Sequence, residues 1–345
     1  AYEIARKSID FFSSLVHSSN YINRPVSISF YGGEPFLEFA LIVKCIDYIY
    51  DVFDKSEVSI LITTNGSLLT HKIIDFLIDK DIHLNISLDG PACEHDKNRV
   101  FPNGKGIFNV VWRNIQTLYR EYYDYYIDKV GIQITFAPNH DIFNIKKFFE
   151  ENSFLINSLL TVNPIYQDDL AVKYQVYVEN TKKVQSLFHM YKENIIKKTP
   201  DPFMNICFRR EFSDFKKMHY RPLKRFVKYT SSCSPGCQKL FVSADGQFHA
   251  CEKINRYFPI GSYKNGIELK KVVSICNKYY SSVCKLCSNC IAAQFCHVCL
   301  ATAAKNGYFD ATEQCTFYRQ RLPKLLKEYI DIVEQCPDGF KKQDA

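Results

Sequence analysis

The sequence predicts an α/β protein: a parallel sheet with crossover helices, open or only partly closed into a barrel, followed by a small cysteine-rich domain. Two observations predict it. The first half alternates short β-branched runs with longer amphipathic stretches, the pattern of strand–helix–strand units. The last third holds most of the thiols: of fourteen cysteines, eleven lie between Cys233 and Cys336.

The elements follow in order. Ile4, Ile9, Phe12, Leu15 and Val16 recur near helical spacing, so the chain opens on a helix. Residues 26–33, VSISFYGG, read as a buried strand ending in a glycine turn, and residues 35–53 as a helix. Residues 56–66 and 82–90 are strands, and residues 67–80 and 106–123 helices. Residues 129–139 form a further strand, 141–152 a helix and 158–166 a last strand. These are five strands, and the leading helix calls for one before it, which gives a barrel of about six units with its ligands at the carboxyl ends of the strands. Residues 168–230 are rich in tyrosine and lysine and read as helical. Residues 239–251 read as a hairpin turning at Ala244-Asp245-Gly246, and residues 323–335 as a closing amphipathic helix. The resulting divisions are 1–166, a bridging segment 167–230, a cysteine-rich domain 231–320 and a helix with tail 321–345.

Composition narrows the class. The 345 residues are 46% hydrophobic and 23% charged, ordinary for a globular chain that needs no disulfide staples. No run of eighteen apolar residues is present, so no membrane helix is expected. The first residues carry Glu3, Arg6, Lys7 and Asp10 and lack the apolar core of a secretory signal. A reducing, cytoplasmic setting follows, in which clustered thiols hold metal more often than they form disulfides. The net charge of +7 names no partner. Its densest basic stretch, residues 209–228, reads as a solvated helix face, and no nucleic-acid recognition motif accompanies it.

Polar residues gather at the predicted strand ends. Gly32 and Gly33 let a ligand approach the backbone, Glu34 adds a carboxylate and Pro35 fixes the exit into a helix. Such a site suits a ligand ammonium group. TTNG places Asn65 at the next strand end. In SLDGP, Ser87 and Asp89 share one face and suit a ribose or a carboxylate. In HDKNR, Arg99 suits bidentate pairing with a carboxylate. Each motif alone also fits a capping or Asx turn.

Taken in order, GGEP, TNG, SLDGP and HDxxR resemble the strand ends of the radical S-adenosylmethionine (SAM) superfamily. The resemblance covers residues 1 to about 166 and implies a partial (β/α)6-type barrel. It assigns Gly32, Gly33, Glu34 and Pro35 to the methionine ammonium, and Asn65, Ser87, Asp89 and Arg99 to the ribose and carboxylate.

The cysteine-rich region resembles the SPASM domain appended to many such enzymes. Cys233 is followed by Gly246-x4-Cys251, then by Cys287-x2-Cys290-x5-Cys296-x2-Cys299, then by Cys315. The final x2 is one residue shorter than the family's commoner x3. Each four-iron cluster takes up to four thiolates, and CxxC supplies two from one turn; a zinc site fits CxxC pairs equally well in isolation. The resemblance implies two auxiliary [4Fe–4S] clusters. It gives Cys233, Cys251 and Cys299 to the first, with Cys237 as a fourth ligand, and Cys287, Cys290, Cys296 and Cys315 to the second. Cys276 and Cys284 are left as spares.

The sequence departs from the family in one respect. It contains no CxxxCxxC, the motif that holds the catalytic cluster, and that motif is expected upstream of Ala1. The implied activity is peptide maturation: a radical derived from SAM abstracts hydrogen from a substrate carbon. Residues 233–253 most resemble maturases that join a cysteine sulfur to carbon as a thioether. The implied partners are a cysteine-rich precursor peptide and an electron donor such as flavodoxin or ferredoxin. Glu252, next to Cys251, is the candidate general base. Sulfatase maturation, peptide epimerisation or crosslinking, and a non-catalytic peptide-binding role are the alternatives.

Overall fold

A computed structural model describes residues 1–18, 26–156, 161–164, 174–216, 233–254, 256–287 and 289–340. The chain divides into two compact units. One comprises residues 25–43, 54–211 and 332–345, the other residues 1–24, 44–53 and 212–331.

The first unit is built on a parallel five-stranded sheet in sequential order: β1 (Val26–Phe30), β2 (Val58–Thr64), β3 (His83–Ser87), β4 (Val130–Phe136) and β5 (Thr161–Pro164). The register pairs Val26 with Val58, Thr63 with Asn85, Ile86 with Ile132 and Thr135 with Asn163, so the carboxyl ends lie along one edge. Ile60, Ile62, Leu84, Ile86, Ile132 and Ile134 are almost wholly buried, as expected of strands covered on both faces.

Helices link consecutive strands. The β1–β2 link opens as a 3-10 turn (Pro35–Glu38) and continues as α2 (Phe39–Val52). The sequence suggested one helix from Pro35. Pro35 sets the first helical dihedral, and the Glu34 carboxylate caps the turn by accepting from Phe36 N at 3.1 Å. Thr70 caps α3 (His71–Asp79), and Asp141 caps α7 (Ile142–Glu151). The β3–β4 link contains a short helix α4 (Ala92–His95), the expected α5 (Phe108–Glu121) and α6 (Tyr123–Lys129). The sequence reading passed over α6 because YYDYYIDK shows no apolar period. Within the bridging segment lie α8 (Tyr174–Lys197), α9 (Pro202–Phe208) and α10 (Ser213–Lys216). Most of the basic stretch, residues 217–228, and parts of the expected last strand, residues 158–160 and 165–166, lie outside the described residues.

The second unit holds a four-stranded antiparallel sheet: β6 (Phe241–Val242), β7 (Gln247–His249), β8 (Gly261–Ser262) and β9 (Gly266–Ile267). The expected hairpin is β6–β7. Gly246, at φ 82°, closes it through its N–H to Ser243 O at 2.8 Å. The leading helix α1 (Tyr2–Val16) lies on this sheet, with the Phe11 and Phe248 rings 5.3 Å apart. The sheet is followed by α11 (Leu269–Ser282), α12 (Leu300–Ala303) and α13 (Thr312–Gln335). The closing helix thus begins at Thr312, not Pro323, and carries Cys315 in its first turn. A proline read as a helix start stands here inside the helix.

Candidate functional site

The strand ends of the first unit are tied together by side chains. Glu34 accepts from the Thr64 hydroxyl through Oε1 and from Asn65 N through Oε2, each at 2.7 Å. With the bond from Phe36 N, three of the roughly four lone-pair sites of its carboxylate are filled. One remains for a ligand donor. Beside it, Cβ atoms added to Gly32 and Gly33 would meet nothing within 4 Å, so space is open over that backbone. The TNG turn is held from within: Thr64 Oγ1 accepts from Gly66 N at 3.0 Å, and Asn65 Oδ1 from Ser67 N at 2.8 Å. Gly66, at φ 77°, sits too close to Ile86 to admit a side chain.

Ser87 ends β3 and is buried. Asp89, 2% exposed, turns its carboxylate to its own unit. It accepts from Arg99 Nε and Nη2, the latter at 3.3 Å, and from Thr135 N at 2.7 Å. Arg99 also donates to Thr135 Oγ1 at 3.2 Å. Sequence alternation offered Asp89 to a ribose or a carboxylate; in the structure Asp89 binds Arg99, while Nη1 of Arg99 has no partner among the described residues. His95, also in HDKNR, was not singled out by the sequence. It is fully buried, and its Nδ1 accepts from Asp89 N at 3.1 Å. Burial pushes its pKa down to about 4, so the ring is neutral with its proton on Nε2. Glu94, 2% exposed, accepts from Lys97, Asp141 N and Asn144. The HDKNR segment is thereby fastened to the carboxyl end of β4. Its legible signal was the density of polar residues just past a strand.

In the second unit the thiols form two groups. Cys251 and Cys299 lie within electrostatic reach of each other. Burial raises the Cys251 thiol, against the backbone N–H groups of Lys253 and Ile254. Cys299 caps α12 and receives the Thr302 hydroxyl at 3.7 Å. Cys233 and Cys237 are exposed, at a turn closed by Cys237 N to Ser234 O at 3.1 Å. The larger group joins Cys287, Cys290, Cys296 and Cys315, the four that the resemblance placed on one cluster. Burial, then the neighbouring thiols, pushes Cys287 up to about 12. Cys284, set aside as a spare, lies in the same group and hydrogen-bonds Cys287. Counting ligands along the chain could not show this.

Among the described residues no three His, Cys, Asp or Glu side chains converge tightly enough for a single metal ion. The donor set, mostly half-buried thiols near one another with Cys233 and Cys237 exposed, suits a multinuclear iron–sulfur group, which spreads its thiolates more widely and stabilises them as anions. Glu252 is placed otherwise than expected of a base. Burial raises its carboxyl, but Lys239, 2.7 Å away, outweighs that and holds it below the usual range. A carboxylate committed to a lysine is a weak proton acceptor.

Comparison with known proteins places this fold. No family model matches the chain. It is 24% identical to the radical SAM cyclopropyl synthase TigE of Paramaledivibacter caminithermalis, over 92% of this chain and 64% of that one. It is 26% identical to the cysteine-type anaerobic sulfatase-maturating enzyme of Clostridium novyi, over 74% and 65%. A stretch of 104 residues is 34% identical to an uncharacterized protein of Methanocaldococcus jannaschii, 30% of this chain and 34% of that one. The chain therefore spans between about a third and two thirds of the length of these relatives. Among solved structures, native anSMEcpe with bound AdoMet superposes with a TM-score of 0.62 at 17% identity, covering 100% of this chain and 89% of that one. The same protein with AdoMet and the Kp18Cys peptide gives 0.60 at 16%, covering 94% and 89%. The chain has the α/β fold of native anSMEcpe, and the resemblance read from its sequence is borne out by its similarity to a radical SAM cyclopropyl synthase and a sulfatase-maturating enzyme.

Proposed function

We propose that this chain belongs to a radical SAM enzyme that modifies a peptide, and that the modification is a thioether crosslink from a cysteine sulfur to carbon. One observation carries the reading: a single chain holds both an open glycine edge with a carboxylate beside it and two groups of facing thiols. SAM supplies the hydrogen-abstracting radical when bound. The chain's own part is to place it. Gly32 and Gly33 admit the ligand to the backbone, and Glu34 offers its remaining lone pair to the ammonium. Arg99, oriented by Asp89 and Thr135, meets the carboxylate through Nη1. Ser87 and Asn65 line the same edge. In the second unit Cys233, Cys237, Cys251 and Cys299 would hold one auxiliary cluster and Cys287, Cys290, Cys296 and Cys315 the other. No cysteine of this sequence is assigned to the catalytic cluster. Glu252, next to Cys251, is paired with Lys239, which leaves its carboxylate less ready to act as a general base.

The relative matched over the larger share of this chain is a bond-forming cyclopropyl synthase, which favours crosslinking over oxidation. Sulfatase maturation is the second reading, supported by the other relative and by the solved neighbours. The test is to incubate the enzyme with SAM, reductant and a cysteine-rich precursor peptide. A thioether leaves a peptide lighter by one hydrogen molecule, with the cysteine blocked to alkylation. Release of sulfur with appearance of a hydrazine-reactive aldehyde would instead establish sulfatase-type maturation.

A further inference from the structure

Strands β3 and β4 separate just past Leu88 and Thr135. Leu88 N still donates to Gln133 O at 3.0 Å, but Thr135 N turns to the Asp89 carboxylate at 2.7 Å, so a side chain closes the ladder. The buried N–H groups just beyond need other acceptors. Each finds a histidine. Asp89 N donates to His95 Nδ1 at 3.1 Å, and Ala137 N donates to His140 Nδ1 at 3.2 Å. Both histidines are fully buried. The same device thus closes two neighbouring strand exits.

The two rings differ in what else holds them. His95 Nε2 has no hydrogen-bond partner among the described residues, and the ring meets that of Phe108 edge-to-face at 5.9 Å. Burying that nitrogen unpaired costs stability, and an apolar side chain would avoid the cost. What histidine supplies here, and leucine could not, is the acceptor at Nδ1. His140 Nε2 meets the Asn98 side-chain amide at 2.7 Å, and Asn98 and Asn139 exchange two amide hydrogen bonds of 3.1 Å each. Arg99 follows Asn98 directly, and its guanidinium is aimed by Asp89 and Thr135, the residues on either side of the split. His95 therefore fixes the main chain of the residue that aims Arg99. His140 fixes the residue before Arg99 and the exit of the strand that bears Thr135.

We propose that His95 and His140 are positioning residues for the ligand carboxylate: through their Nδ1 acceptors they hold Asp89, Thr135 and Asn98 so that Arg99 presents Nη1 to the ligand. This rests on the reading of Arg99 as the group that meets the SAM carboxylate. Both rings are buried and act only through other residues. Removing either acceptor frees a strand exit, and Arg99 loses its aim. A hydrogen bond weakens steeply once its donor is out of line, so the loss appears in ligand affinity.

The test is anaerobic calorimetric titration with SAM of the whole enzyme with its clusters assembled, beside urea unfolding of each variant. Asparagine carries its side-chain oxygen on Cγ, where histidine carries Nδ1; glutamine carries its oxygen one bond further out. His95→Asn and His140→Asn should bind SAM within about threefold of wild type, and His95→Gln and His140→Gln about tenfold more weakly. A cycle through Arg99 separates positioning from stability. In the Arg99→Ala, Asp89→Asn background, which spares the buried charge, the glutamine variants should weaken binding no further. Wild-type affinity in the folded glutamine variants would overturn the proposal. So would equal weakening in both backgrounds, or in the asparagine and glutamine variants alike. If one glutamine variant fails to fold, the same cycle on the other histidine decides. Wild-type affinity in the background pair itself would instead overturn the ligand role of Arg99.

Discussion

Replacing Glu34 by glutamine removes a charge and keeps the shape of the side chain. In the wild type Oε1 accepts from Phe36 N and Thr64 Oγ1, and Oε2 accepts from Asn65 N. The least costly placement of the amide keeps its oxygen at the Oε1 position. The amide nitrogen then faces the Asn65 N–H, two donors in contact, and one bond is lost. That local loss amounts to about 1–3 kcal/mol. The missing charge weakens the contact to the ligand ammonium by a further 1.5–3 kcal/mol or so, about ten- to a hundredfold in affinity. The assay is anaerobic calorimetric titration with SAM of the enzyme with its clusters assembled. Thr64→Val is the control, since it removes one donor and leaves the charge. Glu34→Gln should weaken binding at least tenfold more than Thr64→Val does. Equal affinity in the two variants would show that Glu34 acts only on the turn, and the ligand role assigned to it would be wrong.

Two further outcomes follow from the buried polar segment. Arg99→Ala leaves Asp89 buried without its cation, which should cost about 3–5 kcal/mol in urea-unfolding stability, whereas Arg99→Ala with Asp89→Asn should recover part of it; additive losses would mean the pair is not coupled. His95 gives a pH dependence. Its folded pKa, about 4, lies below the unfolded 6.5, so the unfolded chain binds the proton first. The stability is whole above pH 6.5 and is lost as pH falls toward 4, by about 3 kcal/mol in all. The groups facing the ring, Asp89, Asp96, Arg99 and His140, do not remove this shift. An imidazole signal of His95 titrating near 6.5 in the folded protein would contradict it.

The sheet was legible because its signal is local. Alternating strands and helices appear in the residue pattern, and their order needs no knowledge of distant contacts. The second hairpin, β8–β9, escaped because two-residue strands carry no period. The partner of α1 escaped because an amphipathic face does not name what covers it. The strand-end motifs were legible as polar residues in order, but their partners were not. Alternation put Asp89 on a face with Ser87, and only the fold brought Arg99 and Thr135 to it. The same limit applies to the thiols. The family resemblance, not the spacing, set Cys251 and Cys299 apart from Cys287, Cys290, Cys296 and Cys315, since Cys296-x2-Cys299 reads as one pair, and the turn that brings Cys284 beside Cys287 is a matter of backbone conformation.

Metal analysis of the chain isolated without oxygen bears most directly on the reading as a radical SAM/SPASM protein. Two auxiliary clusters require about eight iron atoms per chain of this sequence, with matching acid-labile sulfide. Stoichiometric zinc without iron would make the thiol groups zinc sites, and the assignment of this chain to radical chemistry would fall with them.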